Sequence, residues 1–454
     1  MGMPPVSDAA GFLLPRDSRA AQPVAVRGEG VWIYDRDGRA YLDACGGALV
    51  VTLGHGRREV AEAGARQGGL LAFAHTSEFL NEPALELSAE LAALVPQVGK
   101  VFFVSSGSEA VEAAMKLARQ YHLERGEPLR RTFISRIPSY HGATLGALSL
   151  SGYFARRDPF APLLPPVRFV PAPVPYRRPA GQSEEAYGLA CAEALEAAIT
   201  TEGPETVAAF FAEPVLGASA SGAAPPPSYF PVVREICDRY GVLLVADEVM
   251  TGVGRTGRPF AMEHWGVVPD MTAVGKGLTS GYAPLAGLLV RESVFAAIAG
   301  GSGRFAHGHT FSAHPASCAI GLAALRELLR RDLFAAAAER GEQLRGLLVG
   351  VAKRHPLIGD VRGMGLMIGV EFVTNRDTKA PFPAAVEAAP RIVRACAARG
   401  LIVYPGRAAV EGRRGDHVLF GPPYCITPEE LGEATARFDD ALDEVEPALL
   451  DASG

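Results

Sequence analysis

The feature that most limits how this chain can fold is an alternation through its middle of short apolar runs with longer helical stretches. The runs are Lys100–Val104, Thr132–Ser135, Val207–Ala212, Val242–Ala246, Met271–Val274 and Pro284–Val290. Each is of strand length and nearly continuous in apolar residues, as expected for strands buried on both faces. Helical patterns fit between them at 108–124, 184–200, 228–240 and 315–331. Parallel strands need a crossover of about this size, so the expectation is an α/β fold with a mostly parallel sheet covered on both sides.

The flanking segments differ in character. Residues 1–29 read as a loosely structured arm. Gly30 to Asp43 reads as a β-hairpin turning at Asp37-Gly38, and helices are expected over 59–72 and 83–95. Two proline-rich loops, 158–182 and 223–231, interrupt the central alternation. After a long helical stretch near 315–354, strands at Leu366–Phe372, Leu401–Tyr404 and His417–Phe420 alternate with helices near 384–399 and 428–447. The expected organisation is therefore an arm and hairpin over residues 1–65, a large domain over 66–325, and a smaller α+β domain over 326–454 to which the hairpin adds.

At 454 residues the chain is too long for one simple core. Its net charge of −6 gives no electrostatic case for nucleic acid or an anionic membrane. No apolar run reaches the roughly 20 residues of a membrane helix, and the first residues lack the pattern of a secretory signal. The six cysteines form no CxxC pair and read as reduced packing residues. These features point to a cytoplasmic protein.

Chemistry-bearing residues collect where the strands end, which is where open α/β sheets bind ligands. The first run leads into Ser105-Ser-Gly-Ser-Glu-Ala110 and then directly into a helix. Gly107 permits close approach of the backbone, Ser106 and Ser108 offer hydroxyls, and free N–H groups at a helix start favour an anion. The fourth run closes on Asp247, an acid that is costly to bury without a cationic partner. The third closes on Glu213. Just past the fifth stands Lys276, one of only five lysines among 44 basic residues. An amine can lose its proton and condense with an aldehyde, and a guanidinium cannot. Together these residues describe a site for a phosphorylated cofactor with an aldehyde and a basic ring nitrogen. The spacing of His307, His309 and His314 fits no compact metal-ligand set, so no metal is expected.

With these motifs in order, the chain resembles a known family. Ser106-Gly-Ser-Glu-Ala110, Ser139-Tyr-His-Gly-Ala-Thr144, Asp247-Glu-Val-Met-Thr-Gly-Val-Gly-Arg-Thr-Gly257, Lys276, Gly308-His-Thr-Phe-Ser312 and Arg362-Gly-Met-Gly-Leu-Met367 are similar to the signature set of the class III aminotransferases. These are pyridoxal-phosphate (PLP) enzymes of fold type I, and the resemblance spans nearly the whole chain. It implies a seven-stranded, mostly parallel sheet in the large domain. It assigns Lys276 as the amine that holds the cofactor and then shuttles a proton, and Asp247 as the partner of the ring nitrogen. Tyr140 and Val249 are implied on the two ring faces, and Ser106, Gly107 and Ser108 at the phosphate. His141 is implied behind the site rather than as a base. Glu213 is implied in a hydrogen bond or ion pair near the substrate, and Thr310 at the phosphate bound to a neighbouring subunit. That last role implies a homodimer, or a tetramer built of dimers.

The resemblance also frames the substrate. Met250 stands where some relatives carry a glutamine, and Thr279-Ser-Gly-Tyr-Ala-Pro284 is similar to the branch acting on ω-amino acids, amines and pyruvate. Leu49 stands where that branch often has an aromatic residue, which implies a roomier pocket. Tyr404 occupies the place expected for a mobile carboxylate-binding arginine. The loop 406–415 offers Arg407, Arg413 and Arg414, with Arg414 the first choice. The expectation is a ping-pong transfer from an amine donor to a 2-oxo acid. Aminomutase, racemase and decarboxylase chemistry uses the same fold and cofactor. A binding-only scaffold would have no use for Lys276 and Asp247.

Overall fold

The computed structural model describes residues 13–14, 22–95 and 97–452. Most of the arm expected over 1–29 lies outside them. Its last part, Ala25–Glu29, is not loose but forms strand β1, which pairs antiparallel with β2 (Trp32–Asp35), and β2 pairs with β3 (Ala40–Asp43). The β2–β3 turn falls at the expected Asp37-Gly38. Asp35 Oδ1 accepts from the N–H groups of Asp37 and Arg39, and Gly38 takes φ +82°.

The central sheet has seven strands: β4 (Val98–Val104), β5 (Thr132–Ile137), β6 (Arg168–Pro171), β7 (Val207–Ala212), β8 (Leu243–Asp247), β9 (Met271–Val274) and β10 (Ala286–Arg291). Their order is β4-β10-β9-β8-β7-β5-β6. Only β10 runs antiparallel to its neighbours; β6, β5, β7, β8 and β9 pair in parallel. β6 was hidden inside the first proline-rich stretch. It can end on Pro171 because it is an edge strand, where a missing N–H breaks no ladder.

Both faces of the sheet are covered. All six residues of β7 are buried, and the neighbours Phe210 and Phe211 enter cores on opposite sides. On one side the helix Gly107–Glu124 packs with Val111 and Ala114; on the other, the helices Glu184–Glu202 and Tyr229–Tyr240 pack with Leu195, Ile199 and Val233. A helix absent from the sequence reading, Glu292–Gly300, buries Val294 and Ile298 one turn apart.

The helical stretch expected near 315–354 is two helices, Pro315–Arg330 and Leu333–Ala352, broken where Asp332 takes φ +51°. Beyond them lie β11 (Ile358–Gly363), β12 (Ile368–Phe372), β13 (Leu401–Ile402), β14 (Tyr404–Gly406) and β15 (His417–Phe420). The single strand expected at Leu401–Tyr404 is thus divided between two sheets. β13 adds in parallel to β3, while β14 joins the antiparallel sheet β11-β12-β15-β14. The hairpin and the C-terminal segment therefore share a sheet. Arg255 ties these parts together: its buried guanidinium donates to the carbonyls of Leu366 at 3.1 Å, Pro422 at 2.6 Å and Val51 at 3.3 Å.

Candidate active site

Because β4, β5, β7, β8 and β9 all point the same way, their carboxyl ends open onto one edge of the sheet. A cavity of about 190 Å³ lies there. Its walls include Ser106, Gly107, Ser108, Tyr140, His141, Glu213, Asp247, Val249 and Lys276, nine residues far apart in the sequence and all singled out by it. Gly142, Val215 and Met250 complete the lining.

The anion cradle is built by the start of the helix Gly107–Glu124. Ser106 is its N-cap, its Oγ accepting from Glu109 N at 3.3 Å, and Glu109 reaches back to Ser105 N at 2.7 Å. The remaining first-turn N–H groups have no acceptor within the helix. A Cβ on Gly107 would lie 2.7 Å from Val249 Cγ1, so only glycine lets the helix start and Val249 approach this closely. Ser108 Oγ accepts from Ala143 N at 3.0 Å and so fixes the loop that carries Tyr140 and His141.

The acids are held differently. Asp247 Oδ2 accepts from His141 Nδ1 at 2.8 Å and Oδ1 from Val249 N at 3.1 Å. His141 is buried and its Nε2 has no hydrogen-bond partner among the described residues, so it orients the carboxylate from behind. Glu213 is buried with both oxygens engaged, by Tyr140 N and by Gly217 N, each at 2.9 Å. Burial raises its pKa. The adjacent Glu248 points away and accepts from Ala261 N at 2.7 Å, Met262 N at 2.9 Å and the Thr251 hydroxyl at 2.9 Å.

Among the described residues the Lys276 amine has neither a hydrogen bond nor an ion pair. Burial pushes its pKa down to about 8, against the opposing pull of Asp247 and Glu213. Lys276 keeps some accessible surface because it lines the cavity; the protein mass around the amine is what disfavours its charge. Its backbone sits at φ +43°, a left-handed conformation that costs a non-glycine residue roughly 1–3 kcal/mol.

An unpartnered amine near neutrality, a carboxylate oriented by histidine, an aromatic ring and a helix start thus surround one small cavity. The family model for class III aminotransferases matches residues 14–442. The chain belongs to the class III aminotransferases. Its cofactor is therefore pyridoxal 5′-phosphate, and its architecture is that of the fold type I transaminases. It is 42% identical over 439 residues to the uncharacterized aminotransferase YodT of Bacillus subtilis (strain 168), covering 96% of this chain and 99% of that protein. Among solved structures, a thermostable (S)-enantioselective ω-transaminase from Thermomicrobium roseum superposes with a TM-score of 0.91 at 38% identity, covering 97% and 98% of the two chains. The ω-transaminase from Pseudomonas jessenii in complex with PMP superposes with a TM-score of 0.92 at 34% identity and covers 100% of both.

The residues of this aminotransferase fit the cofactor. The helix start suits a phosphate, the partnerless amine suits an aldehyde, the buried Asp247 suits a cationic ring nitrogen, and Tyr140 and Val249, both on the cavity lining, suit a flat ring. Three other residues from the sequence reading lie off the cavity lining. Leu49 is buried against Val215, Met250, Met367 and Leu419, in the apolar wall behind the site. Thr310 is exposed on the loop before the helix Pro315–Arg330. Arg414 is exposed in a turn closed by Val410 N donating to its carbonyl at 2.8 Å, and it does not line the cavity. Of the other loop arginines, Arg407 pairs with Asp416 and Arg413 with Asp158. A cation the sequence reading passed over lies nearer. Arg156 rests 4.7 Å from the centre of the Tyr140 ring, and its charge helps to depress the Lys276 pKa. Its only sequence signal is a pair of arginines three residues beyond Tyr153.

Proposed function

We propose that this aminotransferase moves an amino group from an amine or ω-amino acid donor to a 2-oxo acid, with pyruvate as the acceptor, in two half-reactions at one site. The observation that carries the reading is the partnerless Lys276 amine facing a cavity with an apolar side of Val215 and Met250. When bound, pyridoxal 5′-phosphate supplies an aldehyde for the donor's amine and a ring that accepts electrons from the donor's Cα. The chain's residues do the rest. Lys276 Nζ, neutral above about pH 8, takes and returns the proton at the substrate Cα. Asp247, oriented by His141, holds the proton on the ring nitrogen. Tyr140 and Val249 confine the ring between them, and Ser106, Gly107 and Ser108 hold the phosphate.

The working unit in this reading is a homodimer. Thr310 lies beside exposed apolar residues, among them Phe311, whose ring centre is 5.8 Å from that of Phe73. A second copy covering this face would receive Thr310 at its own phosphate. The arm and hairpin (1–65), large domain (66–325) and small domain (326–454) would then be the units of each subunit, in a cytoplasmic enzyme.

The test is an absorbance spectrum of the purified holoenzyme, titrated with amines, diamines, ω-amino acids and α-amino acids without acceptor. Loss of the yellow band, restored by pyruvate, is the expected result. A band that shifts and returns without any acceptor would replace transamination by mutase, racemase or decarboxylase chemistry.

A further inference from the structure

The arginines of this chain that lie inside the protein are nearly all accounted for by a visible partner. Arg177 pairs with Glu371, Arg234 with Asp270, and Arg362 with both Asp360 and Glu371. Arg136 and Arg255, both buried, donate to backbone carbonyls instead. Among the described residues Arg157 also lacks an ion pair and rests against the Phe154 and Phe169 rings. Its neighbour Arg156, which rests against the cavity-lining Tyr140, follows neither pattern. It is half-buried, and among the described residues no carboxylate lies within ion-pair distance of it. Its one side-chain hydrogen bond among the described residues runs from Nη2 to the hydroxyl of Tyr404 at 3.2 Å. Its guanidinium carbon lies 4.7 Å from the ring centre of Tyr140 and 5.0 Å from that of Tyr153. Two tyrosines from its own stretch of chain and the distant Tyr404 thus hold one guanidinium without neutralising it.

Withdrawing a guanidinium from water is costly unless an anion answers it. Aromatic faces hold its position and leave its fork of donors available. The position also matters. Tyr140 lines the cavity, and the charge of Arg156 is felt at Lys276. A carboxylate received here would bring the carbon next to it toward the Lys276 amine.

We propose that Arg156 is the carboxylate anchor of this enzyme, receiving the acceptor's carboxylate, and that of amino-acid donors, in its tyrosine cage. The proposal rests on the transamination reading above and deepens it by placing substrate recognition on Arg156 rather than on the loop 406–415. The anchor is then held in place rather than swung in on a loop. A donor without a carboxylate meets the rings of Tyr140 and Tyr153 and the hydroxyl of Tyr404 around that charge.

The test uses the holoenzyme and propionate, a carboxylate that cannot react. Binding is followed by calorimetry and by the perturbation of the cofactor absorbance, alongside KM for pyruvate. Arg156→Leu is expected to weaken propionate binding and raise the pyruvate KM by roughly 10- to 100-fold, the loss of a hydrogen bond between charged partners. Arg156→Lys, which keeps the charge without the fork, should fall between the two. An intact cofactor spectrum and thermal transition show that each variant is folded. The proposal is overturned if the parent does not bind propionate, if Arg156→Leu binds it within about twofold of the parent, or if Arg414→Ala loses the binding instead. Propionate binding that depends on Arg156 in an enzyme whose yellow band no donor removes would uphold the anchor and overturn the transamination reading.

Discussion

Lys276 provides the sharpest quantitative test, because its charge is set by burial. The protein around the amine lowers its pKa from the ordinary 10.5 to about 8. At pH 7 about a tenth of the folded chains then carry a neutral amine, roughly 300 times the fraction of a solvated lysine. The same shift is a folding penalty of at most about 3.5 kcal/mol, since each pKa unit corresponds to about 1.4 kcal/mol. Below pH 8 the lysine is charged in both states and the penalty is complete. Between pH 8 and 10.5 the folded lysine has lost its proton while the unfolded one retains it, so stability rises with pH across that window. Replacing the residue should remove the effect. Cofactor-free Lys276→Met is expected to melt at a higher temperature than the cofactor-free parent at pH 7, with the difference vanishing toward pH 10.5. In the parent, the rate of pyridoxal 5′-phosphate capture should be half-maximal near pH 8. A midpoint at pH 10 or above, or a Lys276→Met chain less stable than the parent at pH 7, would refute the argument from burial.

Other consequences can be measured directly. Gly107→Ala places a Cβ 2.7 Å from Val249 Cγ1 and should open the phosphate cradle, weakening cofactor affinity by at least about tenfold in an equilibrium titration. Asp247→Asn removes the carboxylate that His141 holds at 2.8 Å, and the single-turnover rate of the donor half-reaction should fall by at least about a hundredfold. Arg255→Leu leaves the carbonyls of Val51, Leu366 and Pro422 without their buried donor and should destabilise the chain by at least about 3 kcal/mol, read as a lower urea midpoint. An unchanged midpoint would mean that those carbonyls find other donors.

Much of the architecture was legible because local rules and tertiary packing agreed. Runs such as Val207–Ala212 are apolar on both faces and could only be interior strands. Where packing overrode local preference, the sequence misled. Arg168–Pro171 looks like a loop because it ends in proline, and an edge position is what lets it pair. Leu401–Tyr404 looks like one strand, yet Val403 is the step at which the chain leaves β3 for β15.

The site divides in the same way. The sequence by itself determined the chemistry: a lysine no arginine could replace, an acid closing an apolar strand, and a glycine at a helix start. Each follows from what one residue type can do at one kind of local position. Which arginine is held beside the cavity's Tyr140 was decided only by the tertiary structure. In sequence, Arg156 and Arg414 are equally ordinary arginines beside another arginine. Folding leaves Arg414 exposed in its turn and brings Tyr140, Tyr153 and Tyr404 around Arg156. A charge acquires a role from its surroundings, and those surroundings come from residues as much as 248 positions away.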